Sequence, residues 1–179
     1  MSCLLTRVVL TRLILGLLTL APMTGYDVKK HVDSSIRHFW AADKAQVYRA
    51  LATLVTDGYA TVEVIPQQGR PDRQEHRITD AGRAALREWL ASPLPLHADR
   101  DPFLARLFFA GELDRAEVGT LLTQRRAQTT QLLAALTAMR SAPPTTHRAT
   151  YLRTATLENG LAHARAELEW LDAVERDLP

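Results

Sequence analysis

The sequence predicts a mainly α-helical fold with a small β-hairpin, built as an N-terminal domain and a C-terminal α-helical arm. Three observations predict this class. Apolar residues recur at helical spacing along most of the chain, the spacing changes to alternation only near residues 61–64, and proline clusters at 93–95 and 143–144 interrupt the pattern. We expect a domain over 1–92, a linker over 93–102 and a helical domain over 103–179.

Composition and charge fit a folded protein without a disulfide framework. The chain has 179 residues, 46% of them apolar, which is enough to form a hydrophobic core. Its net charge is +2, divided as +3 over residues 1–92 and −1 over 93–179. The single cysteine, Cys3, excludes an internal disulfide and a Cys-based zinc cluster, and it fits a reducing, cytoplasmic setting.

The first predicted helix, from about Val8 to Leu20 and ended by Pro22, could be misread as an export signal. Arg7 and Arg12 precede an apolar run of about nine residues, shorter than the roughly 18 to 20 needed to span a bilayer. No small-x-small cleavage site follows this run. We therefore expect a buried helix and no membrane association.

Capping residues mark the starts of the next two helices. Thr24 and Asp27 have the spacing of a capping box, and the helix that they begin carries Val28, Val32 and Ile36 on one face. Asp43 can cap a third helix from Lys44 to Asp57, followed by Gly58 at the left-handed position. The predicted core face of this third helix comprises Val47, Leu51, Leu54 and Val55.

A hairpin and a fourth helix complete the first domain. Polar and apolar residues alternate over Thr61–Val64, as they do in a half-buried strand. Residues 66–72 form a turn cluster, and Gln74–Ile78 can form the returning strand of the hairpin. Thr79 can cap a helix through Leu90. We expect its inward residues to be Ala85, Leu86, Trp89 and Leu90. Helix, helix, helix, hairpin, helix is the order of a winged helix-turn-helix.

The C-terminal arm is predicted to contain three helices. They cover Phe103–Ala110, a segment opened by an Asp114–Glu117 capping box up to Met139, and His147–Asp177. The last one carries a leucine-rich heptad seam at residues 157, 161, 164, 168, 171 and 178, which requires a partner helix. That partner is either the preceding helix, folded back, or the same helix of a second protomer. The candidate dimerisation residues are Leu13, Leu17, Leu157, Leu161, Leu168 and Leu171.

The polar side of the third helix is the candidate DNA-reading surface. Gln46, Arg49, Ala50 and Thr53 share one face, and Lys44 and Tyr48 lie in its N-terminal half. Amide, guanidinium and hydroxyl groups are the groups that contact base edges and phosphates in the major groove. The same residue types are common on any solvated helix, so this face alone does not decide the matter.

The hairpin tip adds a basic loop at the spacing of a winged helix. Arg70 and Arg73 flank Pro71 and Asp72, Gly69 permits the turn, and Arg77 follows on the returning strand. A basic loop beside a recognition helix can enter the minor groove, where the potential is most negative. The predicted DNA contacts are Lys44, Gln46, Tyr48, Arg49, Thr53, Arg70 and Arg73.

Several stretches in this order resemble the PadR family of transcriptional regulators. They are Ile14–Leu18, Met23–Val28, Gln46–Leu51, Leu54–Tyr59, Gly69–Arg73 and Arg77–Gly82, which together cover about residues 8 to 90. The helix layout, leucine seam and Trp170-Leu171 of the C-terminal half resemble the longer, virulence-activator-like members. Asp72 and His76 depart from the family, which often has Pro or a basic residue at the first position and Tyr at the second.

The resemblance implies a cytoplasmic, dimeric, DNA-binding repressor on a two-fold-related operator. It implies that the third helix enters the major groove and the hairpin the flanking minor groove. It also implies release of DNA by a small aromatic effector, for which Trp40, Tyr151 and Trp170 are the candidate walls. No cofactor and no metal are expected.

Two other classes of function were weighed. An enzyme lacks support because none of the six histidines forms a His-Glu-x-x-His pattern, and no phosphate loop, nucleophile elbow or dinucleotide fingerprint is present. Asp99 and Asp101 are expected to be solvated linker residues. A winged-helix adaptor that binds another protein remains an alternative to a DNA-binding regulator.

Overall fold

The computed structural model describes residues 2–66, 69, 72–94, 100–140 and 147–179, with the side chains of the first helix from Arg7 onward. The chain divides into two compact units, Met1–Pro95 and Leu96–Pro179. Helices dominate both units, and the strands of the first form one small antiparallel sheet. The predicted fold class is therefore confirmed.

The N-terminal unit has the predicted order of elements with one added strand. Its elements are α1 (Ser2–Leu18), β1 (Met23–Thr24), α2 (Gly25–His31, continued by a π-helical turn Val32–Ile36), α3 (Lys44–Thr56), β2 (Ala60–Ile65), β3 (Arg73–Ile78) and α4 (Asp80–Ala91). The sheet order is β1-β3-β2. We did not predict β1 because two residues are too short to show a sequence period.

The core of this unit forms where α1 meets α2 and α3. Helix α1 is buried as predicted, although it begins earlier, at Ser2, and ends at Leu18, well before Pro22. Its buried residues are Leu10, Ile14, Leu15, Leu17 and Leu18. They pack with the valines of α2 and the apolar face of α3 in one cluster. Burial of these side chains is the main force that holds the helices together.

Two expectations about burial in this unit were wrong. Leu90 is 67% exposed, whereas the predicted Ala85 and Leu86 do face inward, together with Gly82, and Trp89 is half-buried. The middle of β2 is exposed, with Val62 and Val64 among the exposed apolar residues. Because β2 is an edge strand, its side chains beyond Ala60 extend past the core and are not half-buried by it.

The C-terminal unit is a helical hairpin with a short preceding helix. Its elements are α5 (Pro102–Phe108), a 3₁₀ turn (Ala110–Glu112), α6 (Arg115–Ala138) and α7 (Arg148–Asp177). Helices α6 and α7 run antiparallel, since Arg115 donates to the carbonyl of Leu178 and Arg140 pairs with Glu158 at 2.8 Å. The seam of α7 therefore packs on α6 of the same chain, which was one of the two alternatives left open. The predicted break at 141–144 lies outside the described residues.

Capping residues begin the helices where the sequence predicted them. Thr24, Asp43 and Asp114 form capping boxes with the residues three positions later, and Thr79 accepts the backbone N–H of Gly82. Each box satisfies two backbone donors that a helix leaves unpaired at its start.

One aspartate was misplaced by the sequence interpretation. Asp101 is not a solvated linker residue, because its carboxylate accepts the backbone N–H groups of Phe103 and Leu104 at the start of α5. Its second oxygen accepts a bond of 3.1 Å from Arg125 on α6. Asp99 and half of the expected linker, residues 95–99 of 93–102, lie outside the described residues.

A polar cluster joins the three helices of the C-terminal unit. The guanidinium of Arg125 donates to Glu167 on α7 at 2.7 Å and lies 5.1 Å from the ring centroid of Phe103. The hydroxyl of Thr129, itself buried, donates to the other oxygen of Glu167 at 2.7 Å. Charge-assisted bonds of this kind fix the register of α5, α6 and α7.

Candidate nucleic-acid interface

Helix α3 begins with a reciprocal cap that uses one of the predicted contact residues. The carboxylate of Asp43 accepts the backbone N–H of Gln46 at 2.7 Å, and the side-chain oxygen of Gln46 accepts the backbone N–H of Asp43 at 2.8 Å. The oxygen of the Gln46 amide is thus occupied by the helix itself. Its NH₂ group remains as a hydrogen-bond donor.

The solvent-facing side of α3 is rotated by about one residue from the predicted face. Ala50 is only 4% exposed and belongs to the core with Val47, Leu51 and Leu54, so its placement on the polar face was wrong. The exposed predicted residues are Lys44, Tyr48 and Arg49. The error has a simple reason: an alanine fits either face, and here the core residues follow i, i+3, i+4, i+7 spacing through Ala50.

Tyr48 is held over the start of α2. A Cβ atom built on Gly25 would lie 2.8 Å from Cζ of the Tyr48 ring, so the ring occupies space that only a glycine leaves free. The Lys44 ammonium lies 5.7 Å from the centroid of the same ring. Lys44 and Tyr48 therefore form one surface near the N-terminal end of α3.

Arg49 and Thr53 have different surroundings. The Arg49 side chain is exposed and has no ion-pair partner among the described residues. Thr53 is half-buried; its hydroxyl donates to the carbonyl of Arg49 at 3.0 Å and accepts from Arg7 of α1 at 3.3 Å. Arg49 is thus open to solvent, as Lys44 is, whereas Thr53 faces α1.

The hairpin β2–β3 forms the wing that the sequence predicted. Gly69 has a φ of 71°, the left-handed conformation that its role in the turn requires. Arg73 lies 3.4 Å from Glu75 and 3.6 Å from Asp27 of α2, while Arg77 pairs with Glu75 at 3.1 Å. Arg70 lies outside the described residues.

The Asp27 carboxylate links the wing to the helix-turn-helix. The pKa of Asp27 is lowered, first because the Thr24 hydroxyl hydrogen-bonds to it, and further because the Thr24 backbone donates and Arg73 and His31 lie nearby. Asp27 therefore stays ionised at neutral pH. Its charge partly neutralises Arg73, so the described part of the wing is less basic than a count of arginines indicates.

The candidate dimerisation leucines differ in how deeply the structure buries them. Leu17, Leu161 and Leu171 are buried within their own units of the single chain, which leaves them little surface for a partner. Leu13, Leu157 and Leu168 are half-buried.

An exposed apolar surface that the sequence interpretation missed lies at the end of α5. Phe108 is 82% exposed and Phe109 is 72% exposed, with ring centroids 5.0 Å apart, and Leu104 and Leu113 are exposed nearby in the chain. We call these four residues the α5 apolar surface. The adjacent phenylalanines were visible in the sequence, but they were assigned only to a short helix, with no statement of which face is exposed.

The three candidate effector residues have different surroundings within their own units. Trp40 packs against the core of the N-terminal unit, Tyr151 is exposed on α7, and Trp170 makes an edge-to-face contact with Phe103 at 6.2 Å. Beside Phe103, a groove of about 270 Å³ separates α5 from α6. Its remaining lining residues are Asp101, Pro102, Arg106, Leu121, Gln124, Arg125 and Gln128.

Metal ligands and membrane spans were also sought in the described part of the chain. No group of three or more His, Cys, Asp or Glu side chains there is placed to hold a metal ion. None of the helices over these residues is long and apolar enough to cross a bilayer.

Family comparisons agree with both halves of the architecture. Residues 14–88 match the transcriptional regulator PadR-like family, and residues 100–178 match the virulence activator alpha C-terminal family. The probable transcriptional regulator Rv1176c of Mycobacterium tuberculosis is 29% identical over 169 residues, covering 87% of this chain and 89% of that protein.

The negative transcriptional regulator PadR of Bacillus subtilis is 30% identical over 129 residues, covering 69% of this chain and 71% of that protein. Its crystal structure with operator DNA superimposes with a TM-score of 0.82 at 25% identity, covering 94% of this chain and 98% of PadR. The same protein is known in complex with p-coumaric acid, with a TM-score of 0.78 at 24% identity, covering 94% of this chain and 97% of that one.

The virulence activator AphA of Vibrio cholerae is 30% identical, with a TM-score of 0.73, covering 94% of this chain and 97% of AphA. Matches of this extent, over a capped third helix, a wing and a folded-back helical hairpin, lead to one assignment: the chain belongs to the PadR-like family of transcriptional regulators.

Proposed function

We propose that this protein is a dimeric, DNA-binding repressor that acts in the cytoplasm and catalyses no reaction. The observation that carries the proposal is the solvated surface of Lys44, Tyr48 and Arg49 on a capped helix beside a wing. The similarity to PadR, a negative regulator known in complex with operator DNA, supports the same function. In this proposal residues 1–92 form the DNA-binding domain, residues 93–102 are the linker, and residues 103–179 form the dimerisation domain.

In this function α3 enters the major groove from its N-terminal half. Arg49 and the NH₂ group of Gln46 donate to base edges, while Lys44 and Tyr48 contact phosphates. Arg70 and Arg73 of the wing contact the flanking backbone and minor groove. Thr53 makes a smaller contribution, because Arg7 already engages its hydroxyl.

The dimer places two α3 helices about one DNA turn apart, roughly 34 Å, on a two-fold-related operator. Its contacts come from the α5 apolar surface together with Leu13, Leu157 and Leu168, the predicted leucines that are not fully buried in the single chain. Light scattering at micromolar concentration is expected to give twice the chain mass. A monomer whose mass stays unchanged when DNA is added would contradict this arrangement.

A small aromatic effector releases the DNA by binding the released form more tightly than the bound one. The groove between α5 and α6 is better suited to it than the three aromatic residues first considered, because Phe103 and Leu121 offer apolar contacts and Arg106 offers a positive charge. Trp170, in contact with Phe103, is expected to report binding by a fluorescence change.

The experiment that tests DNA binding uses two replacements of one residue. Gln46→Glu keeps an oxygen that can accept the Asp43 N–H but removes the NH₂ donor and adds a negative charge. Gln46→Ala removes the donor and the acceptor for the Asp43 N–H, while the Asp43 carboxylate still accepts the backbone N–H of residue 46. We expect both variants, and Arg49→Ala, to lose about 1–3 kcal/mol of specific binding to the DNA upstream of the protein's own gene. Only Gln46→Ala should also lose helix stability, by about 1 kcal/mol.

The salt dependence of binding separates this function from that of a protein-binding adaptor. A DNA-binding protein with several phosphate contacts loses about 10³–10⁵ in affinity over a fourfold rise in salt. Footprinting on the same DNA should show a protected site with two-fold symmetry. No protected site, or binding that is insensitive to salt, would favour the adaptor.

A further inference from the structure

A histidine occupies the centre of the small sheet. His76 on β3 pairs with Met23 of β1 on one side and with Val62 of β2 on the other. It is 8% exposed, and Met23 beside it is also buried. Its two neighbours across the strands are apolar, but only Met23 is buried, since Val62 is 40% exposed.

The imidazole is suited to this place only while it is neutral. Its Nδ1 atom is buried and has no hydrogen-bond partner among the described residues. The pKa of His76 is lowered by burial, and a hydrogen bond to the backbone of Met23 opposes that shift. A proton added to the unpaired Nδ1 would have no acceptor among the described residues.

Among the residues whose side chains the structure describes, no charged group compensates for such a proton. Along β3 the charged residues alternate with His76 and project from the opposite face of the sheet, where Arg73, Glu75, Arg77 and Glu63 of β2 pair with one another. On α1 and α2 the charged groups have other partners or face solvent. They are Arg7 with Thr53, Arg12 over Tyr59, Asp27 with Thr24 and Arg73, Lys29 with Asp33, and the exposed Lys30 and His31.

The strands joined at His76 belong to the two parts of the domain that contact DNA. Strand β1 leads directly into the Thr24 cap of α2, and β3 is half of the wing. We propose that His76 couples the wing to the helix-turn-helix in a pH-dependent way. Protonation of its imidazole weakens the pairing of β1 with β3 and thereby lowers the affinity for DNA.

The direction in which pH changes the folding stability depends on whether the folded or the unfolded chain binds the proton more tightly. Below the ordinary histidine pKa of 6.5 the unfolded chain binds a proton that the folded chain excludes. Stability is therefore complete above that pH and falls as the pH drops toward the lower folded-state value. For one proton, the folding equilibrium constant falls by at most about tenfold per pH unit in that window.

The test uses the full chain and two readouts. NMR of the ring protons should show that His76 titrates below the ordinary value. Urea unfolding between pH 7.5 and 5.5 should show a loss of stability in the wild type that is smaller in His76→Phe and unchanged in the matched control His31→Gln, an exposed histidine of α2. If His76→Phe does not fold, His76→Tyr is used instead. The NMR titration of His76 is done on the wild type.

The effect on DNA is measured separately, and that part rests on the proposed function. The ratio of affinities at pH 7.5 and 5.5 should be larger for the wild type than for His76→Phe. A His76 that titrates at or above the ordinary value, or equal pH dependence in both proteins, overturns the proposal. Absence of DNA binding at every pH would contradict the proposed function and leave the result on stability intact.

Discussion

Replacement of Gly82 by alanine tests how closely α4 packs against the wing. A Cβ atom at this position would lie 2.1 Å from the backbone oxygen of Tyr59 and 3.0 Å from Cγ1 of Ile78. To reach ordinary van der Waals contact, the helix and the Tyr59 carbonyl must separate by about 1.3 Å. That carbonyl accepts the backbone N–H of Thr79 at 3.0 Å, so the separation also strains the residue that caps α4.

The magnitude follows from three opposing effects. Overpacking costs about 1–3 kcal/mol, and a weakened backbone hydrogen bond costs about 0.5–1.5 kcal/mol. Alanine gains up to about 1 kcal/mol over glycine, and less at Gly82, which lies in the first turn of α4 and not in the helix interior. We expect a net loss of about 1–3 kcal/mol in the free energy of unfolding, together with weaker DNA binding because α4 and β2 move apart.

Urea unfolding followed by tryptophan fluorescence measures this loss. All proteins would carry Trp170→Phe, so that Trp40 and Trp89 report on the N-terminal unit alone. The matched control is Gly16→Ala in α1, where an added Cβ meets nothing within 4 Å, and it should be unchanged or more stable by up to about 1 kcal/mol. A Gly82→Ala protein as stable as the Gly16→Ala control would refute the reasoning.

Two further predictions concern the helical unit and the wing. Arg125→Met removes the bonds from α6 to Asp101 and Glu167 and should lower the free energy of unfolding of the C-terminal unit by about 1–3 kcal/mol. The control Arg126→Met, at an exposed pair with Asp172 and Glu175, should cost much less. Equal losses for the two variants, measured by Trp170 fluorescence, would contradict this. Arg70→Ala together with Arg73→Ala should weaken binding to all DNA sequences. The slope of log affinity against log salt concentration should decrease in magnitude by up to about two, and an unchanged slope would show that the wing does not contact DNA.

The local signals in the sequence were reliable because they depend on neighbouring residues. Thr24, Asp43 and Asp114 begin helices where their spacing predicted, since a cap is made within four residues of chain. The turn glycines Gly58 and Gly69 have positive φ angles for the same reason. The family resemblance rests on this ordered series of short signals.

Residues whose roles depend on distant partners were placed less well. Ala50 was assigned to the polar face, Leu90 to the core and Asp101 to solvent, and each lies elsewhere. For Ala50 the deciding contact lies far away in sequence, in the core around α1, and Asp101 combines a local cap of α5 with a bond from the distant Arg125. Periodicity gives the direction of a helix face only to within about one residue, or roughly 100°.

The sequence by itself determined the order of the helices and the hairpin, and the starts of the capped helices, because hydrophobic spacing, capping and turn preferences act over a few residues. Only the tertiary structure decided that the leucine seam of α7 packs on α6, that Tyr48 lies over Gly25, and that His76 is buried between Met23 and Val62. Those outcomes depend on which surfaces meet after the chain folds back, and no local pattern specifies them.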